Sequence, residues 1–138
     1  MNAFAFRRHQ RLLNAHDFKQ VFDQVDIKIG NDAMLLLAHR IEPTASARLG
    51  LIAAKKHLKR AVDRNHFKRQ AREAFRHHQQ QLVGFELIVM TRPGIRNLSA
   101  EQLRDGLDQC LNRVIRRAMT SSQKTPNEGK LEEKRAEP

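Results

Sequence analysis

The chain has 138 residues, 40% of them hydrophobic, and a formal net charge of +11. That length supports one domain with a sizeable core and leaves little room for two, while a pI near 10.9 points to nucleic acid or an anionic surface as partner. No apolar run approaches the roughly 20 residues needed to span a bilayer, MNAFAFRRHQ lacks the apolar centre of a secretory signal, and the lone Cys110 excludes an intramolecular disulfide, so a cytoplasmic protein with no membrane partner is expected.

Residues 1–13 mix Phe4, Phe6, Leu12 and Leu13 with Arg7, Arg8 and Arg11 in no clean period. They read equally as a basic arm on phosphates or as a strap packing its apolar side chains on the domain. Asn14 followed by Asp17 predicts an N-cap with an acid in the first turn, opening a short helix to about Val25. Phe18, Val21, Phe22 and Val25 share one face at i, i+3, i+4, i+7. Val21 and Val25 read as core. Phe18 and Phe22 form an i, i+4 pair in a chain with no Trp or Tyr, which suits either core packing or stacking on bases. Three strands are predicted next. The first, 27–30, closes on Gly30-Asn31-Asp32 turn chemistry, and the second, 33–41, closes on Glu42-Pro43-Thr44. The third, 48–54, is apolar on both alternating faces after Arg48, as in a strand covered on two sides. Gly50 within it predicts a close approach by another backbone or by nucleic acid.

The third strand runs into KKHLKRAVDRNHFKRQAREAFR, residues 55–76, where nine Lys/Arg stand against Asp63 and Glu73, a net +7 of the chain's +11. Phe67, Ala71, Ala74 and Phe75 predict an amphipathic helix. Arg60, Arg64, Lys68, Arg72 and Arg76 recur every four residues as a slowly drifting stripe. Like charges at i, i+4 destabilise a helix by roughly 0.2–0.5 kcal/mol per pair, and cations at a helix N-terminus oppose its dipole. A sequence that accepts both penalties is suited to a polyanion; a merely solvated face usually mixes signs. The strand-to-helix passage, with free amides beside Lys59, Arg60 and Arg64, is a natural phosphate site. No G-x-x-x-x-G-K-[ST] occurs, so a chain of phosphates fits better than a single nucleotide.

His77 and His78 point about 100° apart on a helix and do not chelate together, and no His/Cys cluster has zinc spacing. Residues 85–91, FELIVMT, predict a strand nearly apolar on both faces, stopped by Arg92-Pro93-Gly94. Ser99 with Gln102 makes a capping box, and Leu98 with Leu103 a hydrophobic staple. Leu103, Leu107, Cys110, Leu111 and Val114 define the buried stripe of a helix ending near Arg117, which makes Cys110 a core residue and not a nucleophile. From Thr120 onward, four basic and four acidic residues with almost no apolar side chains predict a disordered tail, giving a domain over 1–119 and a tail over 120–138. The order αβββαβα predicts an α+β fold, a single four-stranded sheet packed by helices. Asp23, Asp26, Asp32, Asp63 and Glu73 are scattered among cations with no carboxylate pair for a metal-dependent nuclease. Nor do the seven histidines form a recognisable catalytic pair. Binding is favoured over catalysis by the protein itself.

Lys55-Lys56, Lys59-Arg60-Ala61-Val62, Arg64-Asn65-His66-Phe67-Lys68-Arg69 and Arg72-Glu73-Ala74-Phe75-Arg76 resemble the signature helix of the bacterial ribonuclease P protein component. The similarity extends over about residues 4–118, through the Arg-rich start, Asp17-Phe18 with Val21-Phe22, and Leu49-Gly50-Leu51. It implies a left-handed βαβ crossover, where chirality alone predicts a right-handed one. It also implies a protein subunit that binds ribonuclease P RNA and the 5′ leader of precursor tRNA while the RNA performs Mg-dependent hydrolysis. The protein then supplies no catalytic residue and binds no cofactor of its own, Mg entering the holoenzyme through the RNA. Carried onto this sequence, Arg60, Arg64, Asn65, Lys68, Arg69, Arg72 and Arg76 would face the catalytic RNA, and Phe18, Phe22, Lys55, Lys56 and Lys59 would line the leader cleft. Two departures stand out. His66 replaces a family arginine, and the second strand offers Met34 and leucines where the family has aromatic residues. The alternative is a non-catalytic ribosomal or general RNA-binding protein. A DNA-reading helix is less suited, because the first half of the basic helix is crowded with phosphate-type cations.

Overall fold

The computed structural model describes residues 10–12 and 14–121. Asn14 opens α1 (Ala15–Asp23) as its sequence predicts, its Oδ1 accepting from the Asp17 N–H at 2.9 Å. Then follow β1 (Ile27–Gly30), β2 (Met34–Arg40), β3 (Arg48–Ile52), α2 (Ala61–His78), β4 (Phe85–Thr91) and α3 (Ala100–Ser121), the αβββαβα order expected from the hydrophobic pattern. The turn between β1 and β2 is built by Asn31, whose Oδ1 accepts from the Ala33 and Met34 N–H groups at 2.8 and 3.0 Å. Two short 3₁₀ turns, Gln79–Leu82 and Pro93–Asn97, were not anticipated. After the first of these, Gly84 has φ +90, and a Cβ there would also press on the Pro43 backbone.

The sheet order is β1-β2-β4-β3, with β1/β2 and β2/β4 antiparallel and β3/β4 parallel. A parallel pair needs a long crossover, and α2 is that crossover. Alternation divides the sheet into two faces. On one, Ile29, Met34, Leu36, Leu49, Leu87 and Val89 meet Phe67, Ala71 and Phe75 of α2 and Leu107, Cys110 and Leu111 of α3, the main core. On the other, Leu37 and Ile88 form a smaller core with Leu12 and Val21. Nine-residue α1 covers only part of that second face. Pairing brings Gly30, Leu35, Met90 and Ile52 abreast in one row, and Leu35, Met90 and Ile52 remain half-buried. That row packs against the smaller core at its edge.

One ionic cluster ties α1 to the sheet. Arg48 Nη1 meets Glu86 at 2.8 Å, and its Nη2 meets Asp17 of α1 at 2.9 Å. Residues 10–12 pack as a strap: Leu12 is buried and its N–H donates to Leu49 O at 2.9 Å. The rest of the N-terminal segment, residues 1–9 and 13, lies outside the described residues. The final helix, expected to stop near Arg117, runs to Ser121, with Thr120 Oγ1 donating to Arg116 O at 3.0 Å. The expected 119/120 boundary therefore falls within its last turn, and the tail from 122 to 138 lies outside the described residues. Among the described residues no helix is long and apolar enough to cross a membrane.

Candidate nucleic-acid interface

On α2 the buried face is set by Phe67, Ala71, Ala74 and Phe75. A step of four residues advances about 40° around a helix, so the cation stripe drifts across the surface of α2 and its members meet different surroundings. The structure consequently gives its members different work. Arg64 folds back, its Nη1 donating to the Leu58 and Lys59 carbonyls at 2.8 Å each. Sequence spacing does not reveal this, but the N-cap Arg60 makes no side-chain cap, and Arg64 fastens the turn in its place. Asp63 and Arg64 N–H both bond to Arg60 O, and Asp63 sits in the first turn. The anion site expected at this helix start is thus narrower than its sequence suggests. Arg76 is held by Glu73, Nε to Oε1 at 2.8 Å and Nη2 to Oε2 at 2.9 Å.

Between these ends, Asn65, Lys68, Arg69 and Arg72 line an open depression of about 780 Å³, together with Gln70, Glu73 and Arg76 of α2 and Arg11 of the strap. Among the described residues no ion pair holds Lys68, Arg69 or Arg72. Burial, and then the positive charge of Arg11, pull the Arg72 guanidinium below the ordinary arginine value. Two guanidinium groups brought together in this way create a local demand for an anion. Arg11 was visible in the sequence only as one cation of an arm; its bridge to Leu49 on β3 is what carries it to α2.

Phe18 and Phe22, one pair by spacing, are divided by the fold. Phe18 lies over Gly50, where a Cβ would come within 2.6 Å of Phe18 Cε1 and 3.0 Å of Leu12 Cδ1. The close approach anticipated at Gly50 is therefore made by this side chain, neither by a backbone nor by nucleic acid. Phe18 also borders a smaller hollow of about 260 Å³ shared with Arg11, Lys68 and Arg72. Phe22 is 42% exposed. Exposed Lys55 and Lys56 occupy the turn just after β3, at the Ile52 end of the row that crosses the sheet from Gly30. Lys59 and Arg60 are exposed further along the same connection. Beside Lys56, His57 Nδ1 lies 3.0 Å from Thr91 Oγ1, which also accepts from Ala54 N–H at 3.0 Å. Two further cations stand near Gly30 of that row: Lys28, exposed on β1 as alternation from Ile27 and Ile29 would predict, and Arg92, whose Nη1 donates to Asn31 O at 3.0 Å. Cys110 is buried in the main core and burial raises its thiol pKa, which Arg113 only partly opposes. It is a core residue, as expected.

A family model described as Ribonuclease P matches residues 6–115. The chain belongs to the ribonuclease P protein family. A ribonuclease P protein component from Saccharophagus degradans is 44% identical over 115 residues, spanning 83% of this chain and 84% of that one. Another from a Marinomonas species is 39% identical over 123 residues, 89% and 92% of the two chains. The fold is that of the Staphylococcus aureus RNase P protein, with a TM-score of 0.69 at 24% identity over 76% of this chain and 94% of the other. Membership makes the chain a component of ribonuclease P, a tRNA-processing ribonuclease.

Proposed function

We propose that this chain is the RNA-binding subunit of the ribonuclease P holoenzyme, holding the catalytic RNA against α2 and the 5′ leader of precursor tRNA in the cleft beside α1. The observation that carries the reading is the depression lined by Arg11, Asn65, Lys68, Arg69 and Arg72, where cations outnumber the single carboxylate, Glu73, which Arg76 engages. Arg60 and Arg76 extend that surface at either end, and Arg64 supports it by fixing the turn before the helix. Arginine and lysine placed this way meet phosphate oxygens and position an RNA without reading its sequence. Asn65 adds a neutral donor and acceptor among them. In the cleft, Leu35, Ile52 and Met90 offer an apolar floor, Phe22 an exposed ring, and Lys55, Lys56 and Lys59 the charge that a single strand's backbone requires. Hydrolysis belongs to the RNA and its Mg²⁺; the protein neutralises and orients.

Mixing the protein with a bacterial ribonuclease P RNA and precursor tRNA at low Mg²⁺ tests this directly. Stimulated leader removal is the expected result, and a folded protein that leaves the rate unchanged would refute the assignment. The two phenylalanines give a finer test. Phe22→Ala should weaken leader binding by roughly 1–3 kcal/mol while stability changes by no more than about 0.5 kcal/mol. Phe18→Ala should instead destabilise the fold by about 2 kcal/mol, below the fully buried range because the ring is only half covered. Melting curves and affinity for precursors with long and short leaders separate the two effects.

A further inference from the structure

The charge of α3 changes character at its middle. From Ala100 to Asp108 the helix carries Glu101, Asp105 and Asp108 against Arg104; from Gln109 to Ser121 its charged side chains are Arg113, Arg116 and Arg117 alone. Its last turn holds no basic residue, so the three arginines stand before the reach of the helix dipole, which falls off within that turn. Spacings of three and four residues set them within about 100° of the helix surface, where like charges disfavour the helix. Among the described residues none of the three enters an ion pair. Arg117 Nη1 is moreover shielded from solvent with no hydrogen-bond partner, a cost that an arginine kept only for the fold would avoid.

The buried stripe of α3, Leu107, Cys110, Leu111 and Val114, lies on the main core beside α2. Asp108 marks the side facing α2, where its Oδ1 lies 3.0 Å from His78 Nε2. Arg113 and Arg117 lie about 140° and about 180° around the helix from Asp108, on the flank away from α2, where the sheet ends at β1. Arg116 is exposed. Arg40 of β2 reaches the same end of α3, its Nη2 donating to Ala118 O at 3.4 Å.

We infer that the second half of α3 is a separate RNA-binding surface, in which Arg113, Arg116 and Arg117 meet backbone phosphates of the ribonuclease P RNA. This inference rests on the reading of the chain as the RNA-binding subunit and adds a second grip to it. Helices α2 and α3 cover the same face of the sheet, opposite the face that carries α1, so the partner of this surface is the catalytic RNA and not the leader. Guanidinium forks suit phosphate oxygens, and contacts of that kind position an RNA without reading its bases. Because the three arginines lie on the far side of α3 from the α2 depression, they reach a different segment of the RNA. Two grips on one rigid body make the second contact intramolecular once the first has formed.

The test uses the full chain and ribonuclease P RNA. Replacing Arg113, Arg116 and Arg117 together by glutamine should reduce the logarithmic salt slope by about 2–3 and weaken binding about tenfold at about 50 mM salt. A photocrosslinking side chain at exposed Gln109, one turn before Arg113, should attach the protein to ribonuclease P RNA in the complex with precursor tRNA. Attachment to the precursor instead, attachment to neither RNA, or an unchanged slope for the folded triple variant overturns the inference and leaves the functional reading intact. Failure of the folded wild type to bind ribonuclease P RNA overturns the functional reading itself. Should the triple variant fold poorly by circular dichroism, Arg116→Glu alone decides: severalfold weaker binding at low salt supports the second surface, and unchanged affinity refutes it.

Discussion

Arg48→Met is expected to lower stability by about 3 kcal/mol, the lower end of the range for breaking a buried ion pair by removing one partner. Glu86 is only 5% exposed, and its carboxylate depends on Arg48 Nη1 at 2.8 Å. Without the guanidinium that charge stays buried with no cation against it. Asp17 loses its 2.9 Å partner, and Arg11 O loses a donor at 3.2 Å. The lower end applies because the Arg48 side chain keeps 29% exposure, so water replaces part of what is lost. On a domain of this size the melting midpoint should fall by about 10–15 °C. Arg48→Met combined with Glu86→Gln should recover a large part of the loss, since removing both partners avoids the stranded charge. Lys19→Ala, which breaks the exposed Lys19–Asp23 pair, should change stability by less than about 1 kcal/mol. Equal effects of Arg48→Met and Lys19→Ala would show that the cluster contributes no more than a surface pair. The consequence reaches Phe18, because Asp17 and Phe18 are neighbours on α1, and the ion pair that anchors one holds the other over Gly50.

That cluster also marks where sequence reading stops. The apolar period over Phe67, Ala71, Ala74 and Phe75, the alternation in 85–91, the Asn14 cap and the reciprocal Ser99–Gln102 bonds at 2.9 and 3.1 Å are local signals, and local physics decides them. Asp17, Arg48 and Glu86 come from three separate elements, each unremarkable in its own surroundings, and only sheet pairing makes them one group. The same holds for Phe18 and Phe22. Their spacing places both on the apolar side of α1, but Gly50, far along the chain, gives a flat seat to the first ring alone. Arg64 shows a third kind of miss: a four-residue repeat locates a cation on a helix without saying whether it reaches outward or back to the preceding carbonyls. The last turn of α3 was lost for a similar reason. Thr120 looks like the start of a polar tail, yet a hydroxyl that bonds Arg116 O is compatible with one further turn of helix.

Affinity for ribonuclease P RNA should fall roughly a thousandfold between about 50 and 200 mM salt, if some six phosphates are neutralised and each contributes ~0.7–0.9 to the logarithmic slope. Six contacts then give a slope of about −4 to −5. The depression alone brings Lys68, Arg69, Arg72 and Arg11 to one surface, and the exposed Arg60 extends it toward the helix start. Arg64 and Arg76 contribute less to it, being engaged with Leu58 O and with Glu73. Replacing Lys68, Arg69 and Arg72 together by glutamine should reduce the slope by about 2–3 and weaken binding most at low salt. The triple variant should fold normally, because removing Arg72 also relieves its repulsion with Arg11. Replacing Arg64 and Arg76 by glutamine should alter the slope much less, with the larger effect on stability of the helix start. If instead the two sets reduced the slope equally, the contact surface would be the whole four-residue stripe and not the open middle of α2, and the intrachain bonds of Arg64 and Arg76 would have to open when RNA binds.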